Sequence, residues 1–219
     1  MMQSLMLDPE KGKDLSILCI GAHCDDIEIG CGGTLLKLLE RSDSVRVKWV
    51  VFASNDVRKK EARESAERFL EKANQSEIEI FSFNDGFLPS AWSEIKKKFE
   101  EIKKQFSPDL IFTHYRHDLH QDHRALNELT WNTFRNHLVL EYEILKYDGD
   151  LGTPNFFVTL EKSHIDRKME ILFECFESQL NKQWFDKTLF TSLPRIRGVE
   201  CASETKFAEA FYSRKMILE

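Results

Sequence analysis

Long apolar runs are missing from this sequence. None approaches the roughly 18 residues that a membrane-spanning helix needs, so a bilayer span is not expected. The opening residues, with Asp8, Glu10, Lys11 and Asp14, lack the basic-then-apolar pattern of a secretory signal, and the cytoplasm is the expected location. Cysteine is sparse: Cys19, Cys24, Cys31, Cys175 and Cys201 are an odd, scattered set, which argues against a disulfide framework. Cys24 and Cys31 have no second pair at zinc-knuckle spacing and read as packed thiols rather than thiolate ligands. Concentrated positive charge is lacking too. The formal net charge is -6, with Lys and Arg spread throughout, so nucleic-acid binding has no electrostatic support. There is no internal repeat, low-complexity tract or clear linker. A chain of 219 residues with 42% apolar content is then expected to form one domain over 1–219.

What the sequence does have is alternation. Apolar runs at 16–20, 45–52, 78–83 and 110–113 read as buried strands. Between and after them, 34–40, 58–73, 92–106 and 125–138 carry apolar residues every three or four positions and read as helices. Strand then helix, joined by short links, argues a Rossmann-like α/β fold: a mostly parallel sheet with helices on both faces. The second half is less regular. Strands are expected over 141–147 and 156–160, helices over 164–180 and 204–212, and an irregular surface segment over 193–203.

Two short strings carry the chemistry. His23-Cys24-Asp25-Asp26 follows the first strand, and His120-Gln121-Asp122-His123 lies just beyond the fourth. Open α/β sheets bind ligands at the carboxyl ends of their strands, a good place for chemistry and a poor one for core packing. His23 and Asp26 are three apart, so a tight turn or first helical turn brings both to one side. His123 opens a periodic helix and is the third candidate ligand. His23, Asp26 and His123 would leave an open position on one divalent metal, as catalytic zinc requires, although another divalent ion would also fit such a set. A metal lowers the pKa of a water toward neutrality, so Asp25 between the ligands can serve as general base. His120, one turn before His123, would lie near a substrate carbonyl; as an imidazolium held by Asp122 it would stabilise an oxyanion and protonate the leaving amine. The blander reading of the first string is that His23 and the aspartates cap a helix N-terminus. A phosphate cradle is disfavoured, because paired aspartates stand where a pyrophosphate needs bare amides. His114 reads as structural at a strand end and His117 as a rim residue.

At these residues the chain resembles the LmbE-like, or PIG-L, family of zinc-dependent N-acetylglucosaminyl deacetylases. The family's opening His-Pro-Asp-Asp, with a Gly-Gly soon after, stands here as His23-Cys24-Asp25-Asp26 and Gly32-Gly33-Thr34. Its later His-Pro-Asp-His-Arg stands as His120-Gln121-Asp122-His123-Arg124. The resemblance implies zinc ligands at His23, Asp26 and His123, a base at Asp25, and an oxyanion-stabilising His120 paired with Asp122. It also implies substrate contacts at Asp85 and at an arginine early in the second long helix, for which Arg58 and Arg63 are candidates. Lys168, Ser178-Gln179 and Ala208-Glu209-Ala210-Phe211 resemble later landmarks of the family. Both motif prolines are replaced, by Cys24 and Gln121, and Phe176 stands where a histidine is usual. The implied activity is removal of an N-acetyl group from an amino sugar or sugar conjugate, nucleotide- or lipid-linked forms included. Homo-oligomers are common in the family. The alternatives are hydrolysis of a different acyl amide and a non-catalytic zinc-binding interaction protein. Retention of both Asp25 and His120 argues against the second, since neither is needed merely to bind zinc.

Overall fold

A computed structural model describes residues 14–41 and 44–217. The segment on which the secretory-signal expectation rests, apart from Asp14, lies outside the described residues. Strand β1 (Leu15–Gly21) is buried along its whole length. It sends alternate side chains to opposite faces: Ile17 and Cys19 join one apolar cluster, Leu18 and Ile20 the other. Around it lie β2 (Val45–Ala53), β3 (Gln75–Phe83), β4 (Leu110–His114), β5 (Leu138–Tyr142), β6 (Phe156–Thr159) and β7 (Ala208–Ser213). Their order across the sheet is β3-β2-β1-β4-β5-β7-β6. The first five are parallel, and β7 runs antiparallel between β5 and β6.

Among the described residues six α-helices cover the sheet: α1 (Asp26–Arg41), α2 (Asp56–Phe69), α3 (Trp92–Gln105), α4 (Gln121–Thr133), α5 (Lys162–Cys175) and α6 (Lys187–Glu200). The cluster around Phe52 contains Ile95 and Phe99 of α3 and Leu126 and Leu129 of α4. The other, around Trp49, contains Ile27 of α1, Phe69 of α2, Leu172 of α5 and Phe190 of α6. The mostly parallel α/β sheet expected from the alternation is thus the fold. Among the described residues no helix is long and apolar enough to cross a membrane. The chain leaves β1 for β2 on one side and reaches β4 on the other. The carboxyl ends of β1 and β4 therefore flank a switch point, where a crevice opens.

Expectations for the second half need correction. The segment 204–212 is not a helix. Ala-Glu-Ala favours helix locally, but here it is strand β7, paired on both sides by β5 and β6. The segment 193–203 is mostly helix α6, with Pro194 inside it and Gly198 near its end. Gly198 is there because a Cβ would stand 2.3 Å from the Lys206 carbonyl oxygen. Strand β5 begins at Leu138 and ends at Tyr142, in register with β4, not at 141–147. Helix α5 stops at Cys175, and a separate 3-10 turn over Glu177–Gln179 follows.

Helix α1 packs against the sheet through a buried polar clamp. Gly33 and Thr34 donate their amides to the two Glu209 carboxylate oxygens at 2.9 and 2.6 Å. Lys168 on α5 donates to Glu209 at 2.8 Å and to the Ile29 carbonyl at 2.6 Å. In an uninterrupted helix that carbonyl would take the Gly33 amide. Gly33 has no room for a side chain, since a Cβ would stand 2.7 Å from Leu160.

Candidate functional site

The two strings meet at the switch point. Leaving β1, the chain turns through Ala22 to Asp25 before α1 begins, and Asp26 accepts the His23 amide at 2.6 Å. His114, the last residue of β4, accepts the Ala22 amide on Nε2 at 2.9 Å and ties the two loops together. Helix α4 begins one residue after His120, whose Nδ1 accepts the Asp122 amide at 3.2 Å as an N-cap.

His23, Asp26 and His123 converge. His23 Nδ1 is 3.1 Å from His123 Nε2 and 3.3 Å from Asp26 Oδ2, and His123 Nε2 is 3.5 Å from Asp26 Oδ1. Donors around a tetrahedral cation with bonds of about 2.0–2.1 Å lie about 3.3–3.4 Å apart. The tautomers also suit a cation. His123 gives its Nδ1 proton to Asp118 at 2.9 Å, which leaves a lone pair on Nε2. His23 turns Nε2 toward Asp85 and Asp122 at 3.1 and 3.2 Å, which leaves a lone pair on Nδ1. Two lone pairs and a carboxylate then face one another at contact distance, an arrangement that positive charge in their midst relieves.

The electrostatics of His123 and Asp26 agree, while those of His23 favour its protonated form unless a cation takes the proton's place. Burial opposes charging of His23, yet Asp26, Asp122 and Asp85 outweigh it and hold its basicity well above the ordinary imidazole value. Burial and the neighbouring His114 push His123 down to about 3. Burial resists ionisation of Asp26, but His123, His114 and His23 overcome it and keep the carboxyl well below its usual value. A neutral His123 and an anionic Asp26 are the ligand forms. The capping reading of the first string accounts for the His23 amide but not for this convergence. His114 stacks on His123 with centroids 3.9 Å apart, and its Nε2 is 3.3 Å from Asp26. That nitrogen already accepts an amide, so His114 braces the set. Cys24 donates to the Ala53 carbonyl, burial pushes its thiol up to about 12, and its sulfur is not among the donor atoms that converge here.

Asp25 is buried, and its carboxylate pairs with Arg58 at 2.8 Å. Burial raises its pKa and Arg58 opposes the rise. The partnership expected between Asp122 and His120 is different from what is found. Both Asp122 oxygens are occupied by the Gly86 and Leu88 amides at 2.7 and 3.1 Å. His120 meets Asp122 only through its backbone. Gln121, standing where the family has proline, adds a bond from Nε2 to the Gly86 carbonyl at 3.1 Å. Gly86 has φ +82, open to glycine at little cost, so the turn presents the exposed Asp85 at the mouth.

A cleft of about 730 Å³ opens above, lined at its base by His23, Asp25, Asp26, His120 and His123. Arg58, Asp85, Phe87, Tyr147 and Trp184 form parts of its walls. Arg63 is exposed on α2 and does not line the cleft, so of the two candidate arginines only Arg58 reaches it. His117 packs edge-on against Tyr115 outside the lining, not at the rim. Sequence reasoning missed Asp118, which orients His123, and Lys146, whose ammonium lies 3.1 Å from Asp118. A carboxylate five residues before a ligand histidine was the available signal for Asp118. Lys146 had none, because it arrives from a loop after β5.

Comparison with known proteins bears on the family and the fold. The sequence model of the PIG-L family, described as GlcNAc-PI de-N-acetylase, matches residues 18–134. Among solved structures, the conserved protein TT1542 from Thermus thermophilus superposes with a TM-score of 0.72 at 20% identity, covering 94% of this chain and 97% of that one. The N,N'-diacetylchitobiose deacetylase from Pyrococcus horikoshii gives 0.64 at 18% identity, covering 91% and 83%. GalB, the 4-carboxy-2-hydroxymuconate hydratase from Pseudomonas putida, gives 0.72 at 16% identity, covering 93% and 98%. At these identities the likeness is one of fold.

Proposed function

The chain belongs to the PIG-L family, and on that footing we propose that it is a metal-dependent N-deacetylase that releases acetate from an N-acetylated amino sugar or sugar conjugate. The observation that carries this reading is the convergence of His23, Asp26 and His123 donor atoms within 3.1–3.5 Å at the base of an open cleft. These residues would hold zinc or another divalent cation, which supplies a Lewis acid and makes water a nucleophile near neutral pH.

The rest falls to the chain's own groups. Asp25 takes the proton of the attacking water as the carbonyl carbon becomes tetrahedral. His120 accepts the Asp122 amide on Nδ1, so its proton sits on Nε2 and can be donated to the developing oxyanion. Burial and the nearby His23 depress the basicity of His120, which suits a neutral donor. As the C–N bond breaks, Asp25 returns its proton to the departing amine, leaving acetate and a free amino group. Asp85 at the mouth would accept hydrogen bonds from sugar hydroxyls.

The test pairs metal analysis of the purified protein with acetate release from a panel of N-acetylated sugars and sugar conjugates. Stoichiometric divalent metal together with acetate release is the expected result. Release of a different acid from longer acyl amides would replace the acetyl assignment, and full metal loading with no amide cleavage would refute the enzyme reading. Removal of the brace has its own signature. Asp118→Ala is expected to weaken metal affinity by about 10–100-fold, measured by chelator competition, because His123 loses the partner that fixes its tautomer.

A further inference from the structure

Arg58 lines the cleft, but its guanidinium is engaged by the protein's own groups. We propose that Arg58 is a positioning residue that fixes Asp25, and that Glu61, Ser178 and Phe176 exist to hold Arg58 in place. Its guanidinium places Nη2 2.8 Å from Asp25 and Nη1 3.1 Å from Glu61. Glu61 is in turn engaged by the Ser178 amide at 2.8 Å and the Ser178 hydroxyl at 2.7 Å. One face of the guanidinium lies over the Phe176 ring, 5.0 Å from its centroid. The backbone beneath is fixed as well, since the Asn55 side chain caps α2 by accepting the Val57 and Arg58 amides.

Both terminal nitrogens and a face of the guanidinium are therefore engaged, and only 15% of the side chain is exposed. Little remains for a substrate. Among the described residues no other side chain forms an ion pair with the Asp25 carboxylate, whose Oδ2 is buried and makes no other polar contact. The same arrangement brings two distant parts of the sequence, α2 and the stretch 176–178, to Asp25. The 3-10 turn over Glu177–Gln179 supplies Ser178, α2 supplies Glu61, and Phe176 offers a flat ring on which a planar cation stacks.

The inference rests on the proposed deacetylase reaction for its kinetic readout and on stability for a second, independent one. Arg58→Lys and Arg58→Met are prepared with Ser178→Ala. Loss of the guanidinium in Arg58→Met is expected to lower kcat about a hundredfold with KM and metal content unchanged. Arg58→Lys should recover part of the loss, and Ser178→Ala should show a smaller fall in kcat of the same kind. A raised KM with unchanged kcat would overturn the proposal in favour of a substrate contact. If no amide is cleaved by the parent protein, thermal unfolding decides. The melting temperature of Asp25→Asn/Arg58→Met should equal or exceed that of Arg58→Met alone, because the stranded buried carboxylate is gone. Strictly additive losses would show that the two groups do not act together and would overturn the assignment.

Discussion

Asp25→Asn is expected to lower kcat by about 10²–10⁴-fold while metal content stays at the parent level. The amide nearly matches the carboxylate in shape and removes its capacity to take a proton. His23, Asp26 and His123 make their mutual approaches through other atoms, so the substitution leaves the ligand set intact. It also weakens the ion pair with Arg58, which would then face a neutral oxygen. Burial makes that loss felt in stability, so the measurement must be made on folded protein, with circular dichroism and metal analysis beside the initial rates. Turnover within tenfold of the parent, at equal metal content, would remove Asp25 as the base.

A second large effect is expected far from the cleft. Glu209→Ala should destabilise the fold by about 3–5 kcal/mol, as breaking a buried ion pair from one side does. The cost has two sources. The Lys168 ammonium stays buried without its counter-charge, and the Gly33 and Thr34 amides lose their acceptors inside α1. Urea unfolding reads the change as a shift in midpoint at constant slope. Glu209→Gln keeps one acceptor oxygen and should lose less. A change below about 1 kcal/mol in Glu209→Ala would mean that water replaces the carboxylate at that position.

The sequence is informative where structure is periodic or local. Four of the five parallel strands follow from apolar runs at regular intervals, and the meeting of His23 and Asp26 follows from imidazole and carboxylate three apart at a strand end. Contacts across the fold carry no period. Nothing in the spacing shows that Arg58 lies against Asp25, or that Lys146 meets Asp118 from a loop after β5. Asp122 illustrates the same gap: its neighbour in sequence is His120, but its carboxylate serves the turn at Gly86. Strand β7 reads as helix because Ala-Glu-Ala is a helical composition locally. Its strand state is set by partners on both sides and by a glutamate whose counter-ion lies on α5. Helix α6 escapes notice because Pro194 and Gly198 read as breakers, while its start is secured by Asp186 accepting the Leu189 amide.

The Glu209 clamp also bears on the order in which the molecule is made. Synthesis runs from the N-terminus, so the ribosome releases α1 long before it adds residue 209. Until then Gly33 and Thr34 have no carboxylate to receive them, and the sheet lacks the strand that joins β5 to β6. The middle of α1 is thus completed by a residue made some 175 positions later, and the nascent helix goes without that acceptor until then.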